Sequence, residues 1–143
     1  MTLQEVKQRF FAYRNGNTAD ILRRGGSNFS MIFGCELPVL TGIAREAGTD
    51  HELAMKLWND ANVRESRLLA TFLMDSEALT TDDCVALANS TVDFEDALML
   101  AFAVLKRRPD ARQILDLLPR GSRQYMALSQ HLDDPSEDGY HIY

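Results

Sequence analysis

The stretch from Trp58 to Asp75, WNDANVRESRLLATFLMD, restricts the fold more than any other. Leu68, Leu69, Phe72 and Leu73 fall at i, i+1, i+4 and i+5, which is one face of an amphipathic helix. Asn62 is a favourable N-cap residue, and Glu65 follows it at capping-box spacing. The spacing predicts a central packing helix over 63–74, opened by Asn62 and Glu65. Arg64 and Arg67 lie mainly beside the apolar face, whereas Glu65 lies along it, four residues before Leu69 and seven before Phe72. Burying a carboxylate unpaired is costly, so Glu65 needs a partner. The capping box supplies one; a polar cleft shaped by Glu65 is the alternative reading.

Helix signals recur along the chain. Thr2 and Glu5 have capping-box spacing and open a helix over 3–13, with Leu3, Val6, Phe10 and Tyr13 as its stripe. Asn15-Gly16-Asn17 stops it and restarts a short helix, TADILRR, which closes at Gly25-Gly26. Asn28 to Cys35, NFSMIFGC, is apolar and bounded by glycine; with no partner strand evident, it reads as a packed loop. Pro38 suits the first turn of a helix over 37–47, and Thr49 or Asp50 caps another that runs to Trp58. Thr80 or Thr81 caps the helix after the central one, with Asp82 and Asp83 in its first turn, where the helix dipole favours carboxylates. Asp93 opens a long helix, DFEDALMLAFAVLKRR, stopped by Pro109. Asp110 caps a short helix to Leu118, and Ser122 begins a last one to Leu132.

This succession, with short connections and no credible strand, predicts an all-α chain. Two apolar helices, 63–74 and 93–107, each follow a shorter one, which is the rhythm of stacked helical pairs. Its 143 residues, 45% hydrophobic and 25% charged, suit one soluble domain able to bury a single core. That domain is expected over 1–132, followed by an acidic, flexible tail over 133–143. The N-terminus has no signal-peptide core and no run approaches a membrane span, so a cytoplasmic location without membrane contact is expected. Cys35 and Cys84 lack metal or CxxC spacing and read as free thiols in a reducing compartment.

Charge and chemistry-bearing residues limit the function classes. Residues 1–71 hold nine basic and eight acidic side chains, a balance of +1; residues 72–143 hold six and thirteen, a balance of −7. Strong non-specific affinity for nucleic acid is disfavoured by the overall charge of −6, and only a one-sided basic face would provide it. Basic residues cluster at Arg23-Arg24 and Lys106-Arg107-Arg108, with Arg112, Arg120 and Arg123 spread beyond. No phosphate loop is present, and His51, His131 and His141 lack paired ligand spacing, so neither a cofactor nor a metal is expected. The one carboxylate cluster is Asp93, Glu95 and Asp96 at a helix start, where Asp93 as N-cap and Asp96 near N3 would stabilise the first turn.

Several segments, in order, carry a family resemblance: NGNTADILRRGG, then MIFGCELPVLTGIARE, HELAMKLW, NVRESRLLATFLM and VDFEDALMLAFAVL. Together they resemble the N-terminal helices of the DNA alkylation-repair glycosylase-like proteins, which are built from HEAT-like helical repeats. The resemblance covers residues 5–108. It implies an α/α superhelix of stacked HEAT-like helix pairs with a concave face. Active members of that family remove N3- and N7-alkylated purines, holding duplex DNA on the concave face without flipping the damaged base. Their motif there is a tryptophan, an acidic residue, two variable positions, and the aspartate that stabilises charge developing on the sugar. The matching segment is Val92-Asp93-Phe94-Glu95-Asp96, which places Asp96 at the aspartate and Val92 at the tryptophan. An aliphatic side chain cannot offer an aromatic face to a cationic base or sugar. The further helical pairs of the family's enzymes, with another aromatic residue and backbone-gripping arginines, also go unmatched.

The expectation from these readings is a diverged DNA alkylation-repair-like protein with little or no N-glycosylase activity. Asp96 is its residual catalytic carboxylate, and Arg64, Arg67, Arg107, Arg108 and Arg112 are the DNA contacts. Duplex DNA is the expected partner. The alternative is a non-catalytic scaffold that binds a protein or itself, which the acidic C-terminal half favours.

Overall fold

The computed structural model describes residues 1–133. Among them the backbone forms nine α-helices and no strand, the all-α class that the periodicity predicts. Contacts gather into two compact units, residues 1–78 and residue 79 onward. Apart from Asp133, which ends the last helix, the segment expected to be a flexible tail lies outside the described residues.

The first unit holds α1 (Leu3–Ala12), α2 (Gly16–Arg24), α3 (Leu37–Ala47), α4 (His51–Asn59) and α5 (Arg64–Leu73). Short polar side chains start three of them, at Thr2 and Asp50 as the spacing predicts and at Asn15, which opens the second helix two residues earlier than expected. Thr2 caps α1 by accepting from the Glu5 amide at 3.1 Å, Asn15 caps α2 through Thr18, and Asp50 caps α4 through Leu53. Pro38 sits in the first turn of α3. Helix α5 packs against α3 and α4, and nine of its ten residues are buried, all but Phe72. It is the central packing helix of the unit, although its exposed edge is not where the sequence put it: Phe72, assigned to the apolar stripe, is half-buried, while Arg64, Glu65 and Arg67 are buried.

The start of α5 also departs from expectation. Val63 occupies the N-cap position without any side-chain cap bond, and the capping box of Asn62 and Glu65 does not form. The Asn62 carbonyl instead accepts from the Met31 amide at 2.9 Å, and the Arg64 amide donates to the Met31 carbonyl at 3.1 Å. This lone parallel bridge between Met31 and Val63 ties the 25–36 loop to the helix start. The loop is packed, as its composition suggests: Phe29, Ile32 and Cys35 are all buried. Gly34 has a φ of +87°, and a Cβ built on it would stand 2.1 Å from the Asn15 carbonyl oxygen. Only glycine allows the loop to lie so close to the start of α2.

The second unit holds α6 (Thr81–Asn89), α7 (Phe94–Ala103), α8 (Ala111–Leu117) and α9 (Arg123–Asp133). Thr80 and Asp83 form a full capping box at α6. Helix α6 packs on α8 and α7 on α9, so alternate helices lie together around Met99, Leu100, Ile114 and Leu128. Helix α7 is shorter than predicted; it ends at Ala103 and gives way to a single 3-10 turn over Leu105–Arg107. Pro109 accounts for this. Its ring clashes with the carbonyl four residues back and forces the preceding residue into an extended conformation, and Arg108 is extended with a ψ of 145°. Among the described residues, no helix is long and apolar enough to cross a membrane.

Candidate nucleic-acid interface

Asp96 is where chemistry was expected. It stands at the third position of α7 and is fully buried. One carboxylate oxygen accepts from the Val92 amide at 2.8 Å and the other from the Asp93 amide at 2.9 Å. Asp93, at the N-cap, accepts in turn from the Glu95 amide at 2.9 Å. The pair forms the reciprocal capping box that the sequence allows. In this arrangement the Asp96 carboxylate stabilises a turn of its own chain and presents no oxygen to solvent. Phe94, between the two aspartates, is the exposed side chain of the turn.

The arginines divide into two kinds. Arg64 and Arg67 are 6% and 4% exposed. Arg64 donates to the Cys35 carbonyl at 3.0 Å and to Glu65 Oε2 at 2.8 Å. Arg67 donates through Nε to the Trp58 carbonyl at 2.6 Å, and its guanidinium lies 4.1 Å from the centre of the Trp58 ring. These two guanidinium groups hold the first unit together internally. The sequence could not show this, because arginines beside an apolar stripe usually extend to water. Arg108 is also engaged. It makes a bidentate pair with Asp110, Nε to Oδ1 at 2.8 Å and Nη2 to Oδ2 at 3.0 Å.

Asp110 was expected to cap α8, but it makes no side-chain cap bond. Its carboxylate takes the Arg108 fork and the Thr81 hydroxyl, the latter at 2.6 Å. The Arg108 guanidinium, and then the Thr81 hydroxyl, pull the Asp110 carboxyl down to about 2. Arg107 and Arg112 remain exposed, as does Arg120. Residues 105–123 hold six basic side chains against only Asp110 and Asp116.

A sequence model of the family described as DNA alkylation repair enzyme matches residues 6–118. This chain belongs to that family. No curated protein and no solved structure matches it. In this DNA alkylation repair family member, Asp93 and Asp96 form a buried capping box.

Both thiols of this family member are also enclosed. Burial pushes the Cys35 thiol up to about 12, with a further contribution from Glu65, and Cys35 donates to the Phe10 carbonyl. Burial likewise pushes Cys84 up to about 11. Thiolates are the reactive form, so neither cysteine acts as a nucleophile at neutral pH. His51 accepts from the Asp75 amide through Nδ1 at 3.2 Å. Among the described residues, no group of three or more His, Cys, Asp or Glu side chains is placed to hold a metal ion.

One positioning contact escaped the sequence reading. Arg123, at the start of α9, donates to the Thr91 carbonyl at 2.7 Å, immediately before the Val92 amide that Asp96 accepts from. Nothing local in the sequence signals this link, because its partners are 32 residues apart.

Proposed function

We propose that this chain is a DNA-binding member of the DNA alkylation repair family with little or no base-excision activity. One observation carries the reading: in the second unit the Asp96 carboxylate is held by its own helix cap, while Arg107 and Arg112 are exposed. A group that stabilises positive charge on a sugar must approach it in the transition state. A buried, doubly hydrogen-bonded carboxylate is poorly suited to that task, and Val92 offers no aromatic surface beside it. Exposed arginines suit phosphate contact, which is independent of base identity. Arg64, Arg67 and Arg108 are left out of the proposed interface because their guanidinium groups already hold neighbouring chain segments. The alternate packing of α6 on α8 and α7 on α9 supports a HEAT-like stack of helix pairs, the architecture in which such arginines would line a concave face.

The test is incubation of the protein with duplex DNA carrying N7-methylguanine, at low and at physiological salt, with binding and base release both measured. Binding without release is expected. The double variant Arg107→Gln/Arg112→Gln should bind less tightly and lower the salt slope by about one per arginine removed. Base release abolished by Asp96→Asn would overturn the non-catalytic reading. Absence of any duplex binding would leave the protein-scaffold reading, which the exposed Leu117 and Met126 of the second unit favour.

A further inference from the structure

Within the second unit the positive charge at 105–123 is not balanced by its surroundings. Asp110 and Asp116 are the acidic residues of that stretch. Asp110 is taken by the Arg108 fork and the Thr81 hydroxyl, which cancels one charge of each sign. Arg107, Arg112, Arg120 and Arg123 then stand against Asp116 alone. All four arginines are exposed, and none is ion-paired among the described residues. The bond that Arg123 makes is to the Thr91 carbonyl, which leaves its charge uncompensated. The other carboxylates of the unit are placed at helix ends. Asp83, Asp93 and Asp96 are held in the capping boxes of α6 and α7, with Asp82 and Glu95 beside them, and Asp133 ends α9. Of these, Asp83 acts on Arg108, which Asp110 already pairs.

The chain carries a complement to this stretch. Residues 134–143, DPSEDGYHIY, follow α9 directly and hold Asp134, Glu137 and Asp138 without a lysine or arginine. Tyr140, Ile142 and Tyr143 come after the acidic residues. Beside the arginines, Leu117 on α8 and Met126 on α9 are 54% and 51% exposed, so the segment matches the surface in apolar character as well as in charge. Reach is sufficient. Ten residues span up to about 33–36 Å, whereas the eleven residues of α9 rise only about 16 Å. The segment can return along α9 to Arg120 and Arg123 at its start. Helix α9 also packs against α8 and the 105–107 turn, which carry Arg112 and Arg107. Exposed ion pairs are individually weak, but a tether this short holds the segment at about millimolar effective concentration.

We propose that residues 134–143 dock on the exposed arginines of 105–123 in the same chain and compete there with DNA phosphates. The competition rests on the DNA-binding reading; the docking does not. Carboxylates and phosphates call on the same guanidinium donors, so the two occupants exclude each other. The segment of a second copy has the same chemistry but no tether, so at ordinary protein concentrations the chain's own segment prevails.

Two measurements on the full chain test the proposal. The first compares backbone amide shifts of isotope-labelled wild type and of Asp134→Asn/Glu137→Gln/Asp138→Asn at low salt. Differences should spread over residues 105–123, vanish at high salt, and vanish when Arg112→Gln/Arg120→Gln is present in both chains. Differences confined to the neighbourhood of the substitutions would overturn the docking, and differences that fade on dilution would replace it with contact between copies. The second measurement is duplex affinity. The neutralised chain should bind about tenfold more tightly than wild type at low salt, the scale of three exposed ion pairs, and the gap should narrow at physiological salt. Glu5→Gln/Asp20→Asn/Glu77→Gln removes three exposed carboxylates from the first unit and should tighten binding by less than about twofold. Equal tightening by the two triple variants would reduce the effect to net charge and overturn the competition. If no chain binds duplex, the DNA-binding reading falls, and the amide shifts decide the docking by themselves.

Discussion

Glu65 and Arg64 form an ion pair at 2.8 Å in which neither side chain is more than 7% exposed. Adjacent residues rarely pair, since they diverge around a helix; here Arg64 is the first residue of α5 and can turn back. The pair is embedded in backbone. Glu65 accepts from the Phe33, Gly34 and Cys35 amides, and Arg64 donates to the Cys35 carbonyl. Together they bind a loop whose donors and acceptors would otherwise be buried unsatisfied. Removing one member of such a pair costs about 3–5 kcal/mol, because the other charge stays buried. Glu65→Ala should lie at the upper end, since three amides lose their acceptor and the guanidinium loses its counter-charge. Arg64→Met leaves the carboxylate with its amide donors and should cost less. Urea unfolding of the two variants checks the order, and a larger loss for Arg64→Met would sink this account.

The same loop makes a second, steric prediction. A Cβ at Gly34 would overlap the Asn15 carbonyl oxygen and stand 2.9 Å from the Ala19 amide, at a backbone φ of +87°. Both strain and overlap act, and the obstructing atoms are backbone that cannot rotate away. Gly34→Ala should therefore destabilise the chain by about 2 kcal/mol or more. Gly16→Ala is the control, because nothing lies within 4 Å of its Cβ position and its φ is not in the left-handed region. A thermal melt in which both variants behave alike would contradict the contact.

Both cysteines should be silent toward thiol reagents in the folded chain. Burial raises Cys35 to about 12 and Cys84 to about 11, so the thiolate fraction at pH 8 is very small and reagent access is blocked. Mixed with Ellman's reagent, the native protein should release almost no colour, and unfolding in guanidinium should release two equivalents. Rapid reaction of either thiol before unfolding would disprove the burial.

How much of this could be read from sequence depends on the distance over which each feature is decided. Caps at Thr2, Asp50, Thr80 and Asp93 are local: a short oxygen-bearing side chain finds an amide two or three residues away, and the spacing reveals it. Glu65 was misread for the opposite reason. Its spacing from Asn62 satisfies the local rule, but donors about 30 residues upstream compete for the same carboxylate and win, because they have no other partner. Asp110 repeats the lesson, since Arg108 and Thr81 outbid its own helix start. The arginines show it for function. Charge is legible in sequence, whereas the split between Arg64 and Arg67 inside and Arg107 and Arg112 outside is a property of packing alone.

The Arg108–Asp110 fork gives the second unit a defined acid response. The folded pKa of Asp110 is about 2, below its ordinary 3.8. A depressed carboxylate contributes stability that is full above the unfolded value and lost as pH falls through the folded one. The contribution should therefore be present at neutral pH and fade between about 4 and 2. It is modest, under about 1 kcal/mol, because the pair is partly open to water. Wild type and Asp110→Asn should differ in midpoint at pH 6 and converge as the pH approaches 2. A difference that persists undiminished at the acid end would show that packing, not the ion pair, separates them.

Asp96 allows stability and chemistry to be separated in one residue. As the third residue of α7 it accepts from two amides, Val92 and Asp93. Losing a capping carboxylate costs about 1 kcal/mol in an exposed helix, and here the orphaned amides are part-buried or buried, which raises the penalty toward about 2 kcal/mol. Asp96→Ala should lower the unfolding midpoint by that much. Asp96→Asn keeps one acceptor oxygen and should fall between the two. Duplex binding, measured well below the melting temperature of each variant, should stay at the wild-type level, because the carboxylate faces its own backbone rather than solvent. A variant that melts like wild type yet binds DNA more weakly would reverse the assignment and return Asp96 to the DNA-facing surface.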